Sequence, residues 1–236
     1  GGYRGIGLAI AQNFAQAGAA LAICGRNTKA GEAAAEKFRA EGVNCKFYTA
    51  DVTNCADIDR FVADVARDFG KIDVLINNAG ITDHTPAEEV TQEAYDQLMN
   101  TNVRGAFFMS GAVAKHMIAN KIKGSIVTVS SMSAFVVNIP QRQLTYNMSK
   151  AALCAMTQGM AVEWAEHGIR VNAVCPGYIE TEMLVEDLAQ QWRSMTPMGH
   201  FGQTDDVGAL VLFLASDAAA YMTGSRVVID GGYSCI

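Results

Sequence analysis

At 236 residues, 50% of them hydrophobic, the chain has the length and the apolar material for one large α/β domain with a substantial core. A formal net charge of −6 at pH 7 provides no broad basic field, which excludes nucleic acid and anionic membrane surfaces as bulk partners. Six scattered cysteines without a CxxC pair fit a reduced, cytoplasmic setting, and no apolar run reaches the ~18–20 residues of a membrane span.

The chain opens GGYRGIG, with Gly1, Gly5 and Gly7 at the spacing of a turn that leaves a buried strand, enters a helix and cradles a phosphate on backbone N–H groups. Residues 8–17 have the period of that helix. The strand that should feed the turn is absent from the given chain. The expectation is an apolar, β-branched run of about 5 to 6 residues lying centrally, between LAICGR (21–26) and VLINNAG (74–80), so that those two runs do not pair directly.

Five further strand-like runs and helical segments then alternate. KFYTADV (46–52), VLINNAG (74–80), SIVTVSS (125–131), RVNAVCPG (170–177) and SRVVIDGG (225–232) read as buried strands. Helical periods cover 30–41, 57–69, 95–119, 146–166 and 205–215. This alternation predicts a single Rossmann-type doubly wound α/β domain over 1–236, a parallel sheet with helices on both faces.

The cofactor choice is read at the end of the strand after the glycine turn, where NAD binders place an acid for the ribose 2′-hydroxyl. Here the sequence is CGRN; no acidic residue occurs between Gly7 and Glu32, and Arg26 takes that place, with Asn27 beside it and Arg4 inside the turn. Two cations there predict NADP. Asp51 is open to two readings, an acceptor for the adenine amino group or a cap for the turn DVTN, with Val52 next to it.

YNMSK places Tyr146 and Lys150 one helical turn apart on one face, a tyrosine with a cation beside it to stabilise its phenolate. Together with GGYRGIG, NNAG (77–80), TNVRG (101–105), SSMS (130–133), PGYIET (176–181) and IDGG (229–232), it makes the whole chain resemble the short-chain dehydrogenase/reductase family. The resemblance implies Tyr146 as general acid/base, Lys150 on the nicotinamide ribose and lowering the tyrosine pKa, and Asn102 behind the lysine, anchoring a water relay. It also implies a catalytic serine. The family's usual gap of 13 residues to the tyrosine selects Ser133, but the end of the strand aligns Ser131, which implies a loop two residues longer; Ser131 is preferred, with Ser133 on the substrate side.

Further cofactor contacts implied by the resemblance are Ile6, Asn78, Ala79, Gly80, Pro176, Gly177, Ile179 and Thr181, and Asn77 would bond neighbouring strands. Tyr178, the loop 132–144 and the segment 182–203, which has the composition of a lid, would bound the substrate. The loop SAFVVNIPQRQLTYNMSK is similar to that of NADP-dependent mannitol and other sugar-polyol dehydrogenases, which implies a small polar ketone, ketose or polyol. A reductase of 3-oxoacyl thioesters or hydrophobic ketones and a non-catalytic dinucleotide sensor are the rival readings. The four histidines have no ligand spacing, so no metal is expected. The apolar faces of 95–119 and 146–166, with the resemblance, imply a homotetramer.

Overall fold

The computed structural model describes residues 1–181 and 186–236. In chain order the elements are α1 (Gly5–Gln16), β1 (Leu21–Gly25), α2 (Thr28–Ala40), β2 (Cys45–Thr49), α3 (Cys55–Phe69), β3 (Val74–Asn77), α4 (Gln92–Met99), α5 (Gly105–Ala119), β4 (Ser125–Val129), α6 (Leu144–Trp164), β5 (Arg170–Pro176), α7 (Glu186–Ser194), α8 (Thr204–Ala215) and β6 (Arg226–Ile229). Every pairing between these strands is parallel: β1 with β2, and β3, β4, β5 and β6 in that order. This is the α/β Rossmann-type arrangement that the alternation predicts. Most strands are shorter than the apolar runs in the sequence, because the last residues of runs such as 74–80 and 225–232 leave the sheet and form loops beyond its carboxyl edge, where such folds bind ligands.

Both faces of the four-stranded sheet are covered. Val127, Val129 and Val174 meet Ile10 of α1 and Val207, Val211 and Leu214 of α8 on one side. Ile126 and Val171 meet Ile58 of α3, Met109, Val113 and Met117 of α5 and Met160 of α6 on the other. A strand lined by apolar side chains on both faces is what a continuous β-branched run produces.

β1 and β3 are not hydrogen-bonded to each other, as the sequence predicts. They lie on either side of a cavity of about 650 Å³ lined by Leu21, Ala22, Ile23 and Cys24 and by Val74, Leu75, Ile76 and Asn77. β3 is accordingly half-buried along its whole length, whereas β4 is buried throughout.

The predicted helix 95–119 is two helices. The Thr91 side chain caps α4 by accepting from the Ala94 N–H at 3.2 Å, which starts the helix earlier, at Gln92. Between α4 and α5 the chain makes one wide π turn, Asn100–Arg104, in which the Gly105 N–H reaches back five residues to the Asn100 carbonyl. Of the lid-like segment 182–203, residues 182–185 lie outside the described residues; α7 follows, with Ala189 and Trp192 buried against Phe201. Among the described residues no helix is long and apolar enough to cross a membrane.

Candidate active site

β4 delivers Ser130 and Ser131 to the carboxyl edge of the sheet, and α6 begins at Leu144, so Tyr146 and Lys150 fall in its first two turns on one face. Ser130 Oγ donates to the Lys150 carbonyl at 2.9 Å and fixes helix to strand. Lys150 is 5% exposed, its Nζ donates to the Val129 carbonyl at 2.9 Å and sits 5.4 Å from the centroid of the Tyr146 ring. Burial pulls the lysine down to about 8. Burial pushes the Tyr146 phenol up, and a hydrogen bond with Ser131 pulls it the other way. Of the three ammonium N–H groups of Lys150 one goes to the Val129 carbonyl, which leaves donors beside the phenol, and Ser131 is a hydrogen-bond partner that opposes the cost of burial.

Asn102 stands in the π turn, 0% exposed, and grips the loop after β3 from both sides. Its Oδ1 accepts from the Ile81 N–H at 2.8 Å, while its Nδ2 donates to the Ile81 carbonyl at 2.9 Å and to Ser149 Oγ at 3.0 Å. A Cβ added at Gly80 would lie 3.4 Å from Asn102 Oδ1 and 3.7 Å from Lys150 Nζ, so asparagine, lysine and the NNAG loop converge. Asn77 departs from its expected role: its Nδ2 donates to Ser110 Oγ of α5 at 2.7 Å, because the side chain points off the sheet toward the covering helix.

A cavity of about 440 Å³ opens above these residues. Its walls bring together Gly1, Arg4, Gly5, Ile6 and Gly7, then Asn78, Ala79 and Gly80, then Ser131, Ser133, Tyr146 and Lys150, and finally Pro176, Gly177, Tyr178, Ile179 and Thr181. The glycine turn is tight: a Cβ at Gly7 would collide with the Gly1 carbonyl, and Asn78 Nδ2 donates to that same carbonyl at 2.8 Å. The start of α1 has no side-chain cap and no acid in its first turn, whereas Asn27, Asn54 and Thr91 cap α2, α3 and α4. Uncapped N–H groups facing a cavity are what an anionic group requires, so the residues present fit a dinucleotide pyrophosphate.

Arg26, Asn27, Asp51 and Val52 are not on that wall. Arg26 and Asn27 follow β1 and are exposed, but Tyr3 of the glycine turn packs over Gly25, which puts Arg26 next to the turn. Asn27 Oδ1 accepts from the Ala30 N–H at 3.0 Å as the cap of α2. Asp51 Oδ1 accepts from the Thr53 N–H and hydroxyl, both at 2.9 Å, which is the turn-capping alternative. Val52 lines the cavity between β1 and β3 and abuts Gly105.

On the substrate side Ser131 Oγ donates to Ser133 Oγ at 3.0 Å, and Ser133 Oγ donates to Asn138 Oδ1 at 2.7 Å. Tyr178 lines the cavity, but its hydroxyl accepts from Asn138 Nδ2 at 3.2 Å and Gln141 Nε2 at 2.9 Å, and its ring stacks on Trp192 at 4.4 Å. Tyr178 is thereby a brace for the loop. Sequence reasoning bounded the pocket with this loop but did not single out Asn138, Gln141 or Gln143; the only signal was the extra length before Tyr146. Among the described residues no three His, Cys, Asp or Glu come together as a metal would need.

The family model described as enoyl-(acyl carrier protein) reductase matches residues 1–234. A galactitol 2-dehydrogenase of Rhizobium johnstonii is 41% identical over 100% of this chain and 93% of its own. An NADP-dependent mannitol dehydrogenase of Hypocrea jecorina is 38% identical over 99% and 89%. The crystal structure of a short-chain type dehydrogenase/reductase from Mycobacterium marinum superposes with a TM-score of 0.97 at 38% identity, covering 100% of this chain and 94% of that one. With a parallel Rossmann-type sheet, an uncapped glycine turn and a serine, a tyrosine and a lysine on one cavity, the chain belongs to the short-chain dehydrogenase/reductase family of oxidoreductases acting on CH–OH groups.

Proposed function

We propose that the protein interconverts a small polar ketone or ketose and the corresponding alcohol or polyol, using NADP. The observation that carries this reading is that Tyr146, Ser131 and Lys150 share the floor of a cavity whose other wall is the glycine turn. Bound on that turn, NADPH would supply the hydride. Gly1, Gly5, Ile6 and Gly7 would hold its pyrophosphate with the α1 N-terminus, Arg4 and Arg26 its 2′-phosphate, and Asn78–Gly80, Pro176, Gly177, Ile179 and Thr181 the remainder.

The substrate oxygen sits between Ser131 Oγ and the Tyr146 hydroxyl. Tyr146 gives its proton to that oxygen as the carbonyl carbon is reduced, and takes it back in the reverse direction. Ser131 donates a hydrogen bond where charge develops on the oxygen. Lys150 presents a cation beside the phenol, and Asn102 keeps the Gly80–Ile81 backbone and Ser149 in register with it. The amide-rich wall of Asn138, Gln141 and Gln143 favours a hydroxylated substrate over an acyl chain. Names of relatives, galactitol 2-dehydrogenase and NADP-dependent mannitol dehydrogenase, support substrate class and cofactor alike.

Oxidation of NADPH measured across ketoses, simple ketones and acyl thioesters tests the reading. Turnover confined to acyl thioesters, or to none of the three, overturns it. For assembly we propose a homotetramer built on α4, α5 and α6, whose exposed apolar side chains include Phe107, Phe108, Met148 and Val162. A monomer mass by sedimentation at micromolar concentration rules that out.

A further inference from the structure

Gln143 is 7% exposed, immediately precedes α6, and lines the cavity that holds Ser131 and Tyr146. Its amide is fixed in one orientation by its neighbours. Asn147 Nδ2 donates to the Val136 carbonyl at 3.2 Å, and a carbonyl can only accept, so Asn147 turns its Oδ1 toward Gln143. Gln143 Nε2 donates to that Oδ1 at 2.9 Å, to Asn138 Oδ1 at 2.9 Å and lies 3.2 Å from Ser133 Oγ. Flipping the amide would set its oxygen against two acceptor oxygens. The donor end of Gln143 is therefore saturated, and among the described residues its Oε1 has no partner. Among the described residues the fully buried, unpartnered side-chain atoms are His116 Nε2 and Thr128 Oγ1, so Oε1 of Gln143 must be open to solvent, and the cavity is what Gln143 lines.

We infer that Gln143 Oε1 is a specificity contact that accepts a hydrogen bond from a hydroxyl on the carbon next to the reacting carbonyl, and so selects α-hydroxy ketones. The inference rests on the proposed carbonyl reduction. Gln143 stands on the serine side of the cavity: its Nε2 lies 3.2 Å from Ser133 Oγ, which is 3.0 Å from Ser131 Oγ. An α-hydroxy ketone whose carbonyl oxygen sits on Ser131 and Tyr146 would turn its hydroxyl toward that side. A carbonyl acceptor rewards a donor and refuses another acceptor. A simple ketone leaves Oε1 buried without a partner, and a 3-oxoacyl thioester offers no hydroxyl at that place. Sites built around a buried polar partner discriminate strongly against analogues that lack it.

The test uses hydroxyacetone, 2-butanone, in which a methyl group replaces the hydroxyl, and methoxyacetone, which keeps the oxygen without its proton. Each is reduced with NADPH by the wild type and by Gln143→Met, and the readout is the ratio of kcat/KM between substrates. The hydroxyl's inductive effect on the carbonyl is common to both enzymes and cancels when the ratios are compared. The expected result is a wild-type preference for hydroxyacetone over both analogues that falls about tenfold or more in Gln143→Met. A Gln143→Met ratio equal to the wild type's overturns the inference. So does wild-type indifference between hydroxyacetone and methoxyacetone, which needs no variant to fold. Turnover of these ketones without the preference leaves carbonyl reduction standing, whereas no turnover of any carbonyl removes both.

Discussion

The floor of the cavity and its cofactor rim are built on opposite terms. On the floor, Asn102, Ser131 and Lys150 are buried and tied to Ile81, Ser149, Ser133 and the Val129 carbonyl, with Tyr146 half-buried beside them, so the frame of the site is set before any ligand arrives. On the rim, Arg4 and Arg26 are exposed and have no ion-pair partner among the described residues. A group that must move a proton is held by the fold. A group that must grip a phosphate is left in water until the phosphate replaces that water.

The floor breaks most completely at its proton. Tyr146→Phe should lower kcat by about 10²–10⁴-fold while NADPH affinity, read by fluorescence titration, stays near the wild-type value, since one hydroxyl is lost and little contact area. An equal fall in affinity would mean that the residue holds the cofactor instead. Next, Ser131→Ala should cost about 10²–10³-fold in kcat, and more than Ser133→Ala. Ser133 lines the same cavity but donates its hydroxyl proton to Asn138, so the opposite order would transfer the role.

On the rim the expected effect is smaller and selective. Arg26→Ala should weaken NADPH by about ten- to hundredfold and leave NADH nearly unchanged, because a charge-assisted contact exists with one cofactor only. Equal loss for both would place Arg26 outside the phosphate site. A last effect separates the two regions by pH. Free lysine titrates at about 10.4, and burial brings Lys150 to about 8. Between those values the unfolded chain holds a proton that the folded chain has released, so folding stability gains with rising pH across that window, by at most about 1.4 kcal/mol per pH unit. Lys150→Met removes that gain. Urea unfolding curves whose difference between the two proteins is flat from about pH 8 to 10 would show that the lysine is not buried as described.

The same division explains what the sequence discloses. Tyr146 and Lys150 are four residues apart in one helix, so their juxtaposition follows from helical geometry. The glycine turn and the failure of β1 to pair with β3 follow from strand order. Asn138, Gln141, Gln143 and Asn147 are brought together by a loop with no period, through amide contacts that no spacing encodes. Asn77 was given the wrong partner because strand reasoning does not say which covering helix presents a hydroxyl; Ser110 does. The predicted helix 95–119 runs together because residues on both sides of the π turn are helix-forming, and a wide turn shifts the phase by a single residue.

That turn makes part of the site a matter of counting. Asn100–Arg104 holds one residue more than an α turn would, and it is there that Asn102 reaches Ile81. Deleting one residue would join α4 and α5 into a plainer and locally more regular helix, but it would rotate one against the other by about 100°. Asn102 would then swing off the loop that it grips, or the apolar side chains of α5 off the sheet. The segment should therefore accept changes of side chain at its exposed positions more readily than any change in its number of residues, and a length variant here would report on the site from inside a helix rather than from a loop.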